Sequence, residues 1–315
     1  MRVAILDDYQ DVALRTADWS AVPATIDVFT EPLGDEEALV AALRPYDVLV
    51  TMRERTALPK SALERLPNLR LITVTGGRNT AIDIPACAEL GITVSGTEPL
   101  GEGGTPELTW ALILAAAKRL PAELASVRAG GWTTGVGAAL AGRTLGVLGL
   151  GRLGSRVAAV GGAFGMRVVA WSQNLTADRA AETGAELVGK DELFATSDVL
   201  TIHLVLSDRT RGLVGEPELR LMQPDAWLVN TSRGPICDEA ALLRACQERW
   251  IAGAALDVYD QEPLPADHPF RTLDNVLATP HIGYVTEGTY ASWYGDAVEN
   301  VLAFTAGSPI RVRRS

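Results

Sequence analysis

The sequence is short of several residue types that mark other classes of protein. Only three cysteines, Cys87, Cys237 and Cys246, occur in 315 residues. None stands at CxxC spacing or near a histidine at metal-ligand spacing. That excludes a disulfide framework and a structural zinc site, and the sparse count fits a reducing, cytoplasmic setting. No apolar run approaches the roughly 18 residues of a membrane span. The opening MRVAILDDYQ passes at once from an apolar run into acids, as a first strand does and a signal peptide does not. Basic residues are outnumbered, 28 Lys and Arg against 39 Asp and Glu, for a formal net charge of −11. Nucleic acid, which needs a basic face, is therefore not expected as a partner, and with no spanning run no membrane is expected either. A small anion would have to be held locally, by individual arginines. No repeat of fixed period and no low-complexity tract occurs.

What is present is an ordinary globular composition, 47% hydrophobic and 21% charged, on a chain longer than one core usually holds. Two domains are expected. Short apolar runs alternate with helical patterns throughout. In the first third the runs are 3–7, 25–30, 47–51, 69–75 and 92–96, with helical patterns such as DEEALVAALRPY between them. A second series follows: RTLGVLGLG, then 167–171, 197–204, 226–230, 252–258 and 275–279. This alternation predicts an α/β chain of two doubly wound parallel sheets. Between the two series, residues 101–121 read as a glycine-rich start followed by a strong helix, with Thr105 as its N-cap and Pro106 at its first position.

Gly149-Leu150-Gly151-Arg152-Leu153-Gly154 fits G-x-G-x-x-G, with an apolar strand before it and a helical pattern after it. The first glycine permits a tight turn, the second leaves room for a pyrophosphate, and the third lets the helix approach the strand. A dinucleotide is implied. The carboxylate that grips the ribose of NAD about 20 residues further on is missing. Trp171 is followed by Ser172, Gln173 and Asn174, and no arginine suited to NADP stands there either. Ser172 and Asn174 are the residues left to bond a ribose hydroxyl, with a slight preference for NAD over NADP.

Three polar signals follow, each at a strand end: Arg233 after 226–230, Asp257 and Glu262 at and after 252–258, and His281 after 275–279. The carboxyl ends of a doubly wound sheet share one edge, where ligands bind. If the three strands are neighbours, a guanidinium, a carboxylate and an imidazole meet there.

The segments GGRNTAIDIPACAELGITVSGT, GRTLGVLGLGRLGSRVA, LVNTSRGPICDEAAL, AGAALDVYDQEPLPADHP and NVLATPHIGYVT, in this order, resemble those of the D-isomer-specific 2-hydroxyacid dehydrogenases. The resemblance implies a Rossmann cofactor domain, 101–284, inserted into a flavodoxin-like substrate domain, 1–100 and 285–315. It implies hydride transfer between NAD(P)(H) and C2 of a small anionic 2-hydroxy or 2-oxo acid. The catalytic residues it implies are Arg233, Glu262 and His281, with His281 as general acid and base. Thr231 and Asp257 join the glycine turn in holding cofactor, with Asp257 toward the nicotinamide carboxamide. Arg53, Thr75, Gly76 and Gly77 join Arg233 in holding substrate, and no metal is required. It further implies a homodimer through the cofactor domain, for which TWALILAAA supplies apolar surface. Tyr284 stands where the family has a small residue. Two other readings share the fold: an NAD(H)-sensing binding protein of corepressor type, and a formate dehydrogenase, which typically carries glutamine where Glu262 stands.

Overall fold

The computed structural model describes residues 1–77, 79–98 and 103–314. The chain divides into two compact units, Met1–Gly101 with Val285–Ser315, and Glu102–Tyr284. The expected boundary at 100/101 lies outside the described residues. Among the described residues no helix is long and apolar enough to cross a membrane.

In the smaller unit the apolar runs form β1 (Arg2–Ile5), β2 (Thr25–Val28), β3 (Val48–Thr51), β4 (Leu71–Val74) and β5 (Thr93–Gly96). All pair in parallel in the order β2-β1-β3-β4-β5, the flavodoxin-like order. Each strand is shorter than its apolar run: the runs lose their last residues in β1 and β2, their first in β3 and β5, and residues at both ends in β4. Alternate residues Ala4, Leu49, Ile72 and Val94 pack into one core with Leu39, Leu43, Leu63 and Cys87 of the covering helices. The C-terminal helix, Glu287–Thr305, covers the other side. Its buried Asn300 donates to the Thr73 hydroxyl and to the Gly96 carbonyl, which ties it to β4 and β5.

In the larger unit the strands are β6 (Thr144–Leu148), β7 (Arg167–Trp171), β8 (Glu186–Leu187), β9 (Val199–Ile202), β10 (Trp227–Asn230), β11 (Gly253–Leu256) and β12 (Val276–Ala278). They form one parallel sheet in the order β12-β11-β10-β9-β6-β7-β8, the Rossmann order with a seventh strand added beyond β11. Consecutive residues feed opposite cores: Leu148, Leu228 and Leu256 on one face, Val147, Val229 and Ala255 on the other. Burial on both faces is why these strands read as unbroken apolar runs.

Two expectations are corrected, and one strand was not foreseen. The helix after the first unit runs Gly104–Ala117 with Gly103 as its N-cap, so Thr105 lies inside it. Thr105 spends its hydroxyl as a donor to the Gly283 carbonyl, 3.1 Å away, and not as a cap. TWALILAAA is not apolar surface: Trp110, Leu112, Ile113 and Ala116 are buried in the core of the larger unit. The exposed apolar side chains come directly afterwards, on the helix Leu120–Arg128, which buries none of its residues. The two-residue β8 went unread because Glu186 and Leu187 are both exposed and carry no apolar pattern.

Candidate active site

In the larger sheet the strand order reverses between β6 and β9, so the glycine turn after β6 stands at the topological switch point. Its three glycines answer to different constraints. Gly149 has φ +102°, and a Cβ there would lie 2.9 Å from the His203 backbone. A Cβ on Gly154 would lie 2.0 Å from the Gly149 carbonyl oxygen, so the helix Arg152–Ala163 can approach β6 only without one. Around Gly151 nothing lies within 4 Å. Packing therefore explains the first and third glycines but not the second, which borders open space at a helix N-terminus. The first backbone bond of that helix is Ser155 N–H to Gly151 O. The N–H groups of its opening turn have no intrahelical acceptor and suit a diphosphate. The turn fits a dinucleotide.

β10, β11 and β12 are adjacent, and the loops beyond them interlock. Gly234, next to Arg233, carries the first loop against the second: a Cβ there would fall 2.1 Å from the Tyr259 carbonyl carbon. Asn230 donates to the Arg233 carbonyl at 3.0 Å, and Arg233 Nη1 donates to the Ser232 carbonyl at 2.7 Å. The Tyr259 hydroxyl reaches the Thr279 carbonyl of the third loop at 2.9 Å. Glu262 accepts the Tyr259 N–H on Oε1, and its Oε2 lies 2.5 Å from His281 Nδ1.

His281 holds a left-handed backbone, φ 53°. For a side chain with a Cβ that costs about 1–2 kcal/mol. The buried Asp257, one residue past β11, offsets it. Its Oδ1 accepts from the Thr279 hydroxyl (2.6 Å) and Ile282 N–H (2.9 Å), and its Oδ2 accepts from Gly283 N–H (2.9 Å). Hydrogen bonds to a charged group are worth roughly 1.5–3 kcal/mol each, so the clamp outweighs the strain. Asp257 thus braces the His281 loop with the oxygens that the resemblance directs at the nicotinamide carboxamide.

Folding shifts these two carboxyls in opposite directions. Burial raises the Asp257 carboxyl above its ordinary range, against the hydrogen bonds of Thr279, Ile282 and Gly283 and the charge of His281. Burial would raise Glu262 as well. The hydrogen bond and charge of His281, then the Tyr259 N–H and the Arg233 charge, overcome it and hold Glu262 below its ordinary range. Glu262 therefore stays negative beside the imidazole at neutral pH. Tyr284 meets the His281 ring edge-on, with centroids 5.6 Å apart. His203, just past β9, bonds the Thr201 hydroxyl, and burial lowers it to about 4, so it is neutral near pH 7 and unsuited to act as the acid.

At the cofactor end, Ser172, Gln173 and Asn174 follow β7 directly, and Leu175 N–H closes a turn onto the Ser172 carbonyl. Arg179, the next cation along the chain, is bonded to Glu182. Thr231 is buried beside Arg233, with its hydroxyl 2.8 Å from that of Thr109. No sequence signal singled out Thr109, which reads as one more residue of an apolar helix.

In the smaller unit the expected substrate residues form a local set. Arg53 is left-handed, φ 54°, and its N–H donates to the Thr75 hydroxyl at 2.9 Å. Its guanidinium lies over Gly76, where a Cβ would meet Nη1 at 2.2 Å. It also faces Glu54 and the Trp293 ring. The Thr75 and Gly76 amides donate to the Thr51 carbonyl and the Thr97 hydroxyl, so neither is spare for a substrate carboxylate. Gly77 borders open space and is the member of the three that fits that task.

Known proteins show the same arrangement of sequence and fold. Residues 110–283 match the family model for the D-isomer specific 2-hydroxyacid dehydrogenase, NAD binding domain. A glyoxylate reductase of Aeropyrum pernix is 42% identical over 280 residues, 86% of this chain and 83% of that protein. A D-3-phosphoglycerate dehydrogenase of Methanocaldococcus jannaschii is 38% identical over 255 residues, 80% of this chain and 48% of that protein. The crystal structure of a phosphoglycerate oxidoreductase from Vibrio cholerae superposes with a TM-score of 0.92 at 40% identity, covering 98% of this chain and all of that one.

Proposed function

Because the chain belongs to the D-isomer-specific 2-hydroxyacid dehydrogenases, we propose that it interconverts a small 2-oxo acid and its D-2-hydroxy acid with His281 as the proton donor and acceptor. The glycine turn Gly149–Gly154, with Arg152 and Leu153 opening the helix, holds the dinucleotide, and Thr231, Ser172 and Asn174 flank it. When bound, the nicotinamide supplies hydride to C2 in reduction and takes it in oxidation. A hydride brings no proton, so the oxygen on C2 must receive one from a side chain. Glu262 occupies His281 Nδ1, which leaves Nε2 to deliver it. The charged Glu262 fixes the orientation of the ring through Nδ1. Arg233 offers a planar fork that holds the substrate carboxylate and polarises the C2 carbonyl, which lysine, as a point charge, does less well. Gly77 and Arg53 of the smaller unit are the further substrate contacts.

The observation that carries this reading is the 2.5 Å contact of His281 Nδ1 with Glu262 Oε2, with the Arg233 charge acting on the same carboxylate. A formate dehydrogenase moves no proton and has no use for that pair. His281→Ala should lower turnover roughly 10²- to 10⁴-fold with little change in NADH affinity. Near-normal turnover would remove histidine from the mechanism. Assays of glyoxylate, hydroxypyruvate, pyruvate and phosphohydroxypyruvate with NADH and NADPH identify the substrate and coenzyme. No turnover with any of them would favour an NAD(H)-sensing role. NAD is the coenzyme we expect, because Ser172 and Asn174 are neutral and Arg179 is engaged by Glu182. We also expect a homodimer through the larger unit. Leu120, Leu124 and Val127 line one side of an unburied helix, and Trp132 and Val136 beyond it are 79% and 96% exposed.

A further inference from the structure

The first turns of the helix Gly104–Ala117 touch two of the three loops named above, through threonines. Thr105 donates its hydroxyl to the carbonyl of Gly283, two residues past His281. One turn later Thr109, fully buried, donates its hydroxyl to the Thr105 carbonyl at 2.9 Å. A carbonyl only accepts, so that bond consumes the single Thr109 proton. The Thr109 oxygen is also 2.8 Å from the hydroxyl of Thr231, two residues before Arg233. With Thr109's proton spent, Thr231 must be the donor in that contact. Its own proton is then used as well, and the Thr231 hydroxyl meets any ligand only as an acceptor.

We propose that Thr109 is a positioning residue for the reaction: through Thr231 and Thr105 it sets the Arg233 loop and the His281 loop in register and fixes the direction of the Thr231 hydroxyl. Resting on the roles assigned to Arg233 and His281 above, the proposal adds a brace that touches neither reacting group. Three features separate it from ordinary core packing. Both contacts are polar in a helix whose other buried residues are Pro106, Trp110, Leu112, Ile113 and Ala116. Valine would fill the same volume without the hydroxyl. And the Gly283 end of the chain is shared with Asp257, which takes the Gly283 N–H while Thr105 takes its carbonyl. The peptide units on either side of Gly283 are thereby pinned from two directions.

The test compares Thr109→Val with Thr109→Ser in the full-length protein, with His281→Ala assayed in parallel. We expect Thr109→Val to lower kcat roughly tenfold, the loss of one buried hydroxyl bond expressed in the transition state, while the NADH dissociation constant moves less than about twofold. Thr109→Ser, which keeps the hydroxyl, should restore kcat to within about threefold of the parent. Wild-type kcat in folded Thr109→Val, whatever its melting temperature, overturns the brace. So does an equal loss in the serine and valine variants, which would make bulk and not the hydroxyl the cause. If His281→Ala stays active while Thr109→Val is impaired, it is the assignment of His281 that fails. If His281→Ala is inactive and Thr109→Val is normal, the brace fails alone.

Discussion

Past β4 of the five-stranded sheet, the Thr75 and Gly76 amides go to Thr51 and Thr97, and Arg53 folds over Gly76. Past β10, β11 and β12 of the seven-stranded sheet, the bonds run between loops: Tyr259 to Thr279, Asp257 to Ile282 and Gly283, Glu262 to His281. Each edge contains a charged or titratable residue in the left-handed region, Arg53 at φ 54° and His281 at φ 53°. The same backbone device thus serves two ends. In the smaller unit polar groups are consumed in shaping a loop that leaves Gly77 beside open space. In the larger unit they aim one side chain with another. Left-handed geometry alone therefore assigns no role to either residue.

That contrast predicts that changes at the larger edge alter turnover and changes at the smaller edge alter substrate affinity. After His281→Ala, Arg233→Ala should have the largest effect, lowering kcat/KM for the 2-oxo acid by roughly 10²- to 10³-fold, because the carbonyl loses its charged donor. NADH binding, followed by fluorescence, should change little. Equal loss of both would mean that the loop has collapsed, and would break the distinction drawn between aiming and shaping.

Glu262→Gln should have a smaller effect at neutral pH and a diagnostic one on the pH profile. Glu262 is negative at every pH above its lowered value, and only as a carboxylate does it accept from His281 Nδ1 on Oε2. A neutral amide has no carboxylate to protonate, so the acid limb that Glu262 sets in the parent profile should be lost in the variant. Stability supplies a second reading. A carboxyl lowered on folding stabilises above its ordinary range and loses that contribution as pH falls through the lowered value. Urea melts in that acid window should show a shallower loss for Glu262→Gln than for the parent. Superimposable kinetic profiles would show that Glu262 does not set that limb.

The mildest change is Thr97→Val, which removes the acceptor of the Gly76 N–H. An unmet buried amide costs about 1–3 kcal/mol locally, enough to loosen the Gly76–Gly77 turn. KM for the oxo acid should rise a few-fold with kcat within about twofold of the parent. A fall in kcat with KM unchanged would show that the two edges do not divide the work in this way.

Much of this was legible beforehand for a simple reason. Strands buried on both faces are written as apolar runs, and a glycine turn that must let a helix touch a strand admits few residues. Arg233, Glu262 and His281 could be singled out because each follows such a run, and strand ends of a parallel sheet share an edge. Other features were not legible because the chain writes them in residues with common uses. Thr105 has the look of a cap, but its hydroxyl is needed as a donor to Gly283. Trp110, Leu112 and Ile113 have the look of an interface, but the β6–β10 face of the sheet claims them. Asp257 was tied to a ligand, yet its donors are Thr279, Ile282 and Gly283, some 22 to 26 residues away.

Periodicity and local sterics therefore determined the apolar runs that form the two sheets, the glycine turn after β6, and the positions of Arg233, Glu262 and His281 past strand ends, since each depends on residues close together in the chain. Tertiary structure alone decided how those side chains are aimed. Their aim depends on hydrogen bonds between loops that follow different strands, and the energy of such a bond is set by distance and direction in space. The brace on the left-handed turn at His281, the opposite pKa shifts of Asp257 and Glu262, and the hydroxyl bond between Thr231 and Thr109 exist only once the folded sheet brings these residues together.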